Sequence, residues 1–335
     1  MIYNHSTSRR TLFKRSVITA AFAAVGFACA VPAAFAQAWP TKPIRLIVNF
    51  PPGGAADQIA RAVATPLSQA LGQTVVVENK AGAGGNIGGE AAARATPDGY
   101  TFLMSSGGMV SINPAIYPSM PFDPVKDLTP VAAAARVLVF LEVKPSLPVK
   151  NAQEFIAYLK ANPEKLSYGS PGVGSSPHLA GELFKEKANV KALHVPYKGA
   201  APAIQDLLGG QIDFMFDPGI GLQHVQANKL RLLAIGSMKR SSLFPDVPTL
   251  HEVGLTDFDA DSYFGFYAPA GTPPDIIKRV NKEVNKIINT PAFKAQLAIM
   301  GAEPSPMTPE EFGNQAHEDT ARFGKLIRDR GIMGS

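Results

Sequence analysis

The chain has 335 residues, 46% of them apolar and 18% charged, with 32 Lys and Arg against 27 Asp and Glu for a formal charge of +5. This is a globular composition, which excludes a disordered polar chain and a collagen-like repeat. A single Cys excludes a disulfide framework and a Cys-built zinc site.

The excess charge is concentrated at one end. Arg9, Arg10, Lys14 and Arg15 fall within the first 36 residues, which hold no acid. Setting those four aside leaves 28 basic residues against 27 acidic ones, so no basic face remains for nucleic acid to recognise. The basic start, the apolar stretch 17–31 and Ala34-Phe35-Ala36 together read as a secretory signal cleaved after Ala36, which predicts export to the periplasm. Ser8-Arg9-Arg10-Thr11-Leu12-Phe13-Lys14 matches the twin-arginine export pattern, and a Sec signal that contains paired arginines accounts for it equally. Gly26-Phe27-Ala28-Cys29 lacks the Leu of a lipoprotein signal, and no segment offers about 18 uninterrupted apolar residues, so a soluble mature chain from Gln37 is expected.

From Gln37 onward, short apolar runs alternate with helical patterns, the mark of an α/β sheet protein with mostly parallel strands. A strand is predicted over 44–50, broken by Pro51-Pro52-Gly53-Gly54. Ile59, Ala62, Val63, Leu67, Ala70 and Leu71 then recur on one helical face, with Pro66 expected to kink the helix and Gly72 to end it. Strands follow over 74–78 and 100–105, with a short helix over 88–94 between them. Helix, glycine and strand recur at 202–216 and again at 221–235. Helices over 275–288 and 310–328 close the chain, the last capped by Thr308 with Pro309 at its first position.

The glycine-rich turns between strands and helices are where chemistry can reside, because amides of a first helical turn point outward unpaired. Phe50-Pro51-Pro52-Gly53-Gly54-Ala55-Ala56-Asp57 lacks the Lys-Ser/Thr of a triphosphate loop, and Asp57 also reads as a helix residue paired with Arg61. Gly82, Gly84 and Gly88 give GxGxxxG, a poor match to the dinucleotide spacing, so no cofactor is expected. In Gly169-Ser170-Pro171-Gly172-Val173-Gly174-Ser175-Ser176-Pro177-His178, Ser175 or Ser176 caps a helix, and the hydroxyls with the free amides can hold a carboxylate. A hydrolase would use Ser175 as nucleophile and His178 as base, yet no GxSxG elbow exists. The histidines show no metal-binding spacing. Lys198 and the Gly199 amide are candidate anion donors, Lys198 reading equally as a solvated loop charge, and Asp213 and Asp217 flank an apolar strand.

Six segments in order carry a resemblance: Phe50-Pro51-Pro52-Gly53-Gly54 with Asp57, Val76-Val77-Glu78-Asn79-Lys80 with Gly82, Gly84 and Gly85, Pro97-Asp98-Gly99-Tyr100-Thr101, His194-Val195-Pro196-Tyr197-Lys198-Gly199, Asp206-Leu207-Leu208-Gly209-Gly210 with Ile212-Asp213, and Ala268-Pro269-Ala270-Gly271-Thr272-Pro273. From Gln37 to Arg330 the chain resembles the Bug receptors, the extracytoplasmic solute-binding subunits of tripartite tricarboxylate transporters. The resemblance implies a type II periplasmic binding protein of two α/β lobes joined by two crossover strands. Residues 37–141 and 264–335 would form one lobe and 142–263 the other, with hinges near 138–143 and 263–266. It further implies a monomer without catalytic activity that holds a small carboxylate in the cleft and delivers it to two membrane permease subunits. A receptor presenting its ligand to a two-component sensor and a serine hydrolase are the alternatives. The implied ligand site comprises Gly53, Gly54, Ala55, Ala56, Asp57, Ser105 and Ser106 from the first lobe. From the second come Ser170, Gly174, Ser175, His178, Lys198, Gly199, Ala200 and Asp217. Met109, in a loop that departs from the family pattern, is expected to pack in the core.

Overall fold

Aliphatic and β-branched runs too short for helices build the sheets. In the computed structural model, which describes residues 1–3 and 39–333, Ile44–Val48 forms β1, Val75–Asn79 β2 and Thr101–Ser106 β3, and β1 pairs in parallel with both others. β4 (Leu128–Val137), β10 (Ser262–Pro269) and β11 (Ala302–Pro304) extend this sheet in the order β11-β4-β10-β3-β1-β2. A second sheet contains β5 (Phe140–Val143), β6 (Ser167–Ser170), β7 (Leu193–Pro196), β8 (Phe214–Asp217) and β9 (Arg231–Ile235), in the order β7-β6-β8-β5-β9.

Both sheets are mixed, where the sequence predicts mostly parallel ones. β10 runs antiparallel to β3 and β4, and β5 runs antiparallel to β8 and β9. The odd strands adjoin the places where the chain changes sheet. A strand arriving from the other sheet has no crossover helix to return it in the parallel sense. One change of sheet occupies 138–139 and the other 236–261. They lie side by side: the Gly236 amide donates to Val139 O at 2.8 Å, and the Ala260 amide to Gly236 O at 2.9 Å.

The leader expected over residues 1–36, with its Cys29, lies outside the described residues except for 1–3. The chain divides between Trp39 and Pro40 into two units, and the fold concerns the second. Its helices follow the apolar periodicity. α1 (Ala55–Leu71) buries Ile59, Ala60, Val63, Leu67 and Leu71, and ends at a left-handed Gly72. It runs through Pro66 as one helix; the ring forfeits only the bond its own nitrogen would have given Ala62. α2 (Asn86–Ala93) and α3 (Gly107–Ser111) flank the first sheet, and α4 (Asn113–Ile116) follows, its Ile116 packing in the core under the second. Around the second come α5 (Ala152–Ala161), α6 (Ser176–Ala188), α7 (Ala200–Leu208) and α8 (Leu222–Gln226).

α9 (Pro274–Ile288), α10 (Pro291–Ile299) and α11 (Pro309–Arg330) complete the chain. The Thr308 hydroxyl accepts from the Glu311 amide at 3.2 Å while the Glu311 carboxylate accepts from Thr308 N at 2.8 Å, the reciprocal cap the sequence predicts at its first half. Phe312 of α11 packs in the first sheet's core with Ile47, Leu103 and Met109. Phe323, Leu326 and Ile327 join Phe155, Phe184 and Phe214 under the second. One helix thus contributes to both cores, because its apolar stripe continues over 22 residues.

Candidate functional site

In open α/β sheets ligands bind beyond the carboxyl ends of parallel strands, where the strand order reverses. The first sheet reverses at β1, flanked by β2 and β3, and the second at β6, flanked by β7 and β8. Every expected site residue lies at or just beyond one of these strand ends.

At the first reversal, the Asn49 side chain bridges β1 to β3. Its Nδ2 donates to Ser105 Oγ at 2.9 Å and to Gly85 O at 3.3 Å. Asn49 and Ser105 are fully buried, and the Asn49 Oδ1 has no partner among the described residues. The glycine cluster after β2 serves this bridge: a Cβ on Gly85 would stand 2.4 Å from Asn49 Nδ2. Sequence reasoning missed Asn49, since nothing local distinguishes it from a strand-end Asn. Ser106 sits at the start of α3, its side chain making no cap. Gly53 and Gly54 are exposed ahead of α1, Ala55 is half-buried and Ala56 buried. Asp57 is buried and committed to its own turn: its carboxylate accepts from Gly53 N at 2.9 Å, Asn79 Nδ2 at 2.9 Å and Arg61 Nε at 3.0 Å. Burial works against the charge, but the Arg61 ion pair and the amides hold the carboxyl below its usual range.

At the second reversal, Ser175 caps α6 and Pro177 occupies its first turn. The Ser175 hydroxyl donates to Gly172 O at 2.7 Å and accepts from His178 N at 3.4 Å. The His178 ring does not serve that hydroxyl, as a hydrolase would require; its Nδ1 accepts the Gly174 amide at 3.0 Å. The serine that meets an imidazole is Ser170, 2.7 Å from His194 Nε2. Burial depresses both imidazoles, His178 to about 4 and His194 to about 3, so both are neutral and weak bases. The turns after β6 and β7 are tied together by Tyr197 N to Ser170 O at 2.9 Å and Gly199 N to Pro171 O at 3.1 Å. The Gly199 amide is therefore spent within the protein, contrary to its expected role as an anion donor. Lys198 is exposed and Ala200 opens α7. A Cβ on Gly174 would stand 2.1 Å from Ile116 Cδ1 of α4, so this turn abuts α4, whose Ile116 shares a core with Leu179 and Phe184 of α6.

Asp217 ends β8, and its Oδ2 locks the following turn by accepting Gly219 N at 2.7 Å and Gly221 N at 2.8 Å. Its Oδ1 has no protein partner among the described residues, nor has either carboxylate oxygen of Glu142 on the neighbouring strand β5. Both acids are wholly buried, and burial raises both. Among the described residues no cluster of three or more metal-ligating side chains assembles. The two strand-end regions thus share helix starts, with the Arg61 guanidinium taken up by Asp57 and Lys198 exposed.

This arrangement is that of a solute-binding receptor. Residues 59–332 match the family described as "Tripartite tricarboxylate transporter family receptor", and the chain belongs to that family. Protein BugT of Bordetella pertussis is 38% identical over 319 residues, 94% of this chain and 97% of that protein. The solved periplasmic binding protein BugD is 33% identical and superimposes with a TM-score of 0.78, over 88% of this chain and 99% of its own. The R. palustris protein Rpa4515, solved with adipate, is 35% identical with a TM-score of 0.82, over 88% of this chain and 99% of its own. The fold is that of these two-lobe periplasmic binding proteins, a family of receptors that includes carboxylate-bound members.

Proposed function

We propose that the protein is an exported periplasmic receptor that captures a small organic acid between the β1/β3 and β6/β8 strand ends and hands it to the membrane subunits of a tripartite transporter. Residues 40–139 and 262–333 act as one lobe and 140–261 as the other, each boundary two residues earlier than the sequence expectation because β5 begins at Phe140 and β10 at Ser262, with flexing where the chain changes sheet. The observation that carries this reading is the pairing of two glycine-rich strand ends, each opening onto a helix start, with the Arg61 guanidinium at the first taken up by Asp57 and Lys198 exposed at the second. Helix-start amides suit a carboxylate. The adipate in a relative of 35% identity supports the same ligand class. The protein works without catalysis: the one close serine–imidazole side-chain pair among the described residues, Ser170 with His194, involves a buried imidazole too weakly basic to activate a hydroxyl at neutral pH.

Mass spectrometry of small molecules released by denaturing the purified protein, followed by calorimetry with dicarboxylates, hydroxy acids, acidic amino acids and aromatic acids, tests the proposal. One acid bound per chain without turnover is the expected result. Binding of a neutral sugar or a metal ion with no acid bound would overturn it.

A further inference from the structure

A column of rings stands behind the Ser170–Ser175 turn. Tyr168, His194 and His178 stack in succession, with centroids 4.8 Å apart at 27° and then 4.0 Å apart at 17°. The column is pinned from the side by α6. A Cβ on Gly181 would stand 2.2 Å from the Tyr168 ring, so only glycine allows the helix this close. The Tyr168 hydroxyl donates to Glu182 Oε1 at 2.6 Å, and Lys185 Nζ binds the same oxygen at 2.7 Å. Burial keeps both rings neutral; the charged groups acting on them, Glu182, which favours the imidazolium, and Lys185, which opposes it, pair with each other.

The hydrogen bonds define which nitrogen of the His178 ring carries the proton. His178 Nδ1 accepts the Gly174 amide, so its proton resides on Nε2. The Ser170 hydroxyl lies 2.7 Å from His194 Nε2 and 3.1 Å from Gly172 O, so its proton goes to one of these two, and its oxygen accepts Gly172 N–H at 3.2 Å. Two groups that sequence reasoning offered to the ligand, the Ser170 hydroxyl proton and the Gly174 amide, are therefore spent on holding the turn.

We propose that His178 and His194 are positioning residues of the ligand site, a neutral imidazole stack that holds the Ser170–Ser175 turn in its binding shape without contacting the ligand. This rests on the receptor reading and deepens it: the turn recognises an anion through preset dipoles, and the imidazoles contribute order instead of charge.

The test has one arm free of ligand. Long-range proton–nitrogen NMR spectra of the wild-type protein near neutral pH should show both rings uncharged, with His178 Nδ1 bare; a proton on that nitrogen would overturn the proposal. The second arm uses whichever acid the calorimetric panel identifies. His178→Leu removes the acceptor of the Gly174 amide and should weaken binding by about tenfold. His178→Asn places a carbonyl oxygen near the Nδ1 position and should stay within about threefold of wild type. Equal weakening in both variants, or wild-type affinity in the Leu variant, would sink the idea. If His178→Leu does not fold, His194→Leu against His194→Gln makes the same comparison at Ser170. Should the panel yield no acid, the receptor reading fails while the spectra still decide the imidazole assignment.

Discussion

Glu142 and Asp217 are two acids in a place that cannot hold two charges. Neither is exposed, three of their four oxygens lack a protein donor, and a Cβ on Gly221 would stand 2.5 Å from Glu142 Oε2 and 3.2 Å from Asp217 Oδ2. Burial raises Asp217 to about 7, against the two amides that lower it, and the Asp217 charge adds to the burial that raises Glu142 well above the usual carboxylate range. An acid whose folded value lies above its unfolded value of about 4 binds protons more tightly in the native state. Its stabilising effect is complete below about pH 4 and is lost as pH rises through about 7. His178 and His194 act in the opposite sense: their lowered values make the unfolded chain the better base, and stability falls as pH drops from about 6.5 toward about 4. The thermal midpoint should therefore peak between these limits. Glu142→Gln removes one charge and keeps the shape, so its midpoint should match wild type near about pH 5 and exceed it by roughly 3 °C at about pH 9. Scanning calorimetry of both proteins across that range checks this, and parallel curves would refute the account of a site that cannot hold two charges.

Turns, more than strands or helices, set how closely the elements approach one another. Gly219 follows β8 with φ of 103°, and a Cβ there would lie 1.8 Å from Met300 O, in the turn that leads to β11. The obstacle is backbone on both sides, so no rotamer change relieves it. Gly210 has φ of 73° with nothing within 4 Å, which isolates the conformational cost alone. Gly210→Ala should lose about 1–2 kcal/mol and Gly219→Ala clearly more, roughly 3 kcal/mol or above, in denaturant unfolding. Similar losses for both would show that the second sheet's turn is free to move off Met300. The same contrast separates what the sequence reveals from what it hides. Thr308 with Pro309, Gly72, and the Ser175–Pro177 start of α6 are legible because a cap or a terminator is written within a few residues. The Gly53–Asp57 and Gly169–His178 segments are legible as strand-to-helix turns for the same local reason. Strand direction beside the sheet changes is not, and neither are the His178–His194 stack, the Asn49–Ser105 bridge or the Glu142–Asp217 pair. Each depends on which strands become neighbours, and apolar periodicity identifies strands without ordering them. The Gly199 amide was misassigned on the same ground: its acceptor, Pro171 O, belongs to an adjacent strand end.

For the molecule as a whole, the place where both crossing stretches meet is held by charge. Arg136, at the end of β4, lies 3.2 Å from Asp261 and 2.6 Å from Glu303. Asp261 also accepts from Ser237 Oγ at 2.6 Å, and Glu303 accepts from Ser241 Oγ at 3.1 Å and Ser242 N at 3.0 Å. One guanidinium therefore ties β4 and β11 of the first sheet to both ends of the 236–261 stretch that returns the chain from the second. A buried ion pair is weak evidence of net stability, because desolvation offsets most of its attraction, but removing one partner strands the other. Arg136→Met should accordingly destabilise by about 3–5 kcal/mol, with Asp261 left buried and uncompensated. Asp261→Asn in that background removes the stranded charge while keeping an acceptor for Ser237, and should recover at least about 1 kcal/mol. The four proteins of this cycle, compared by denaturant unfolding, separate a charge-specific tie from simple loss of packing. Strict additivity would mean that Arg136 contributes only its aliphatic stem. A large coupling would identify the crossing point as a joint whose order is electrostatic, and one that salt barely weakens because its charges are largely buried.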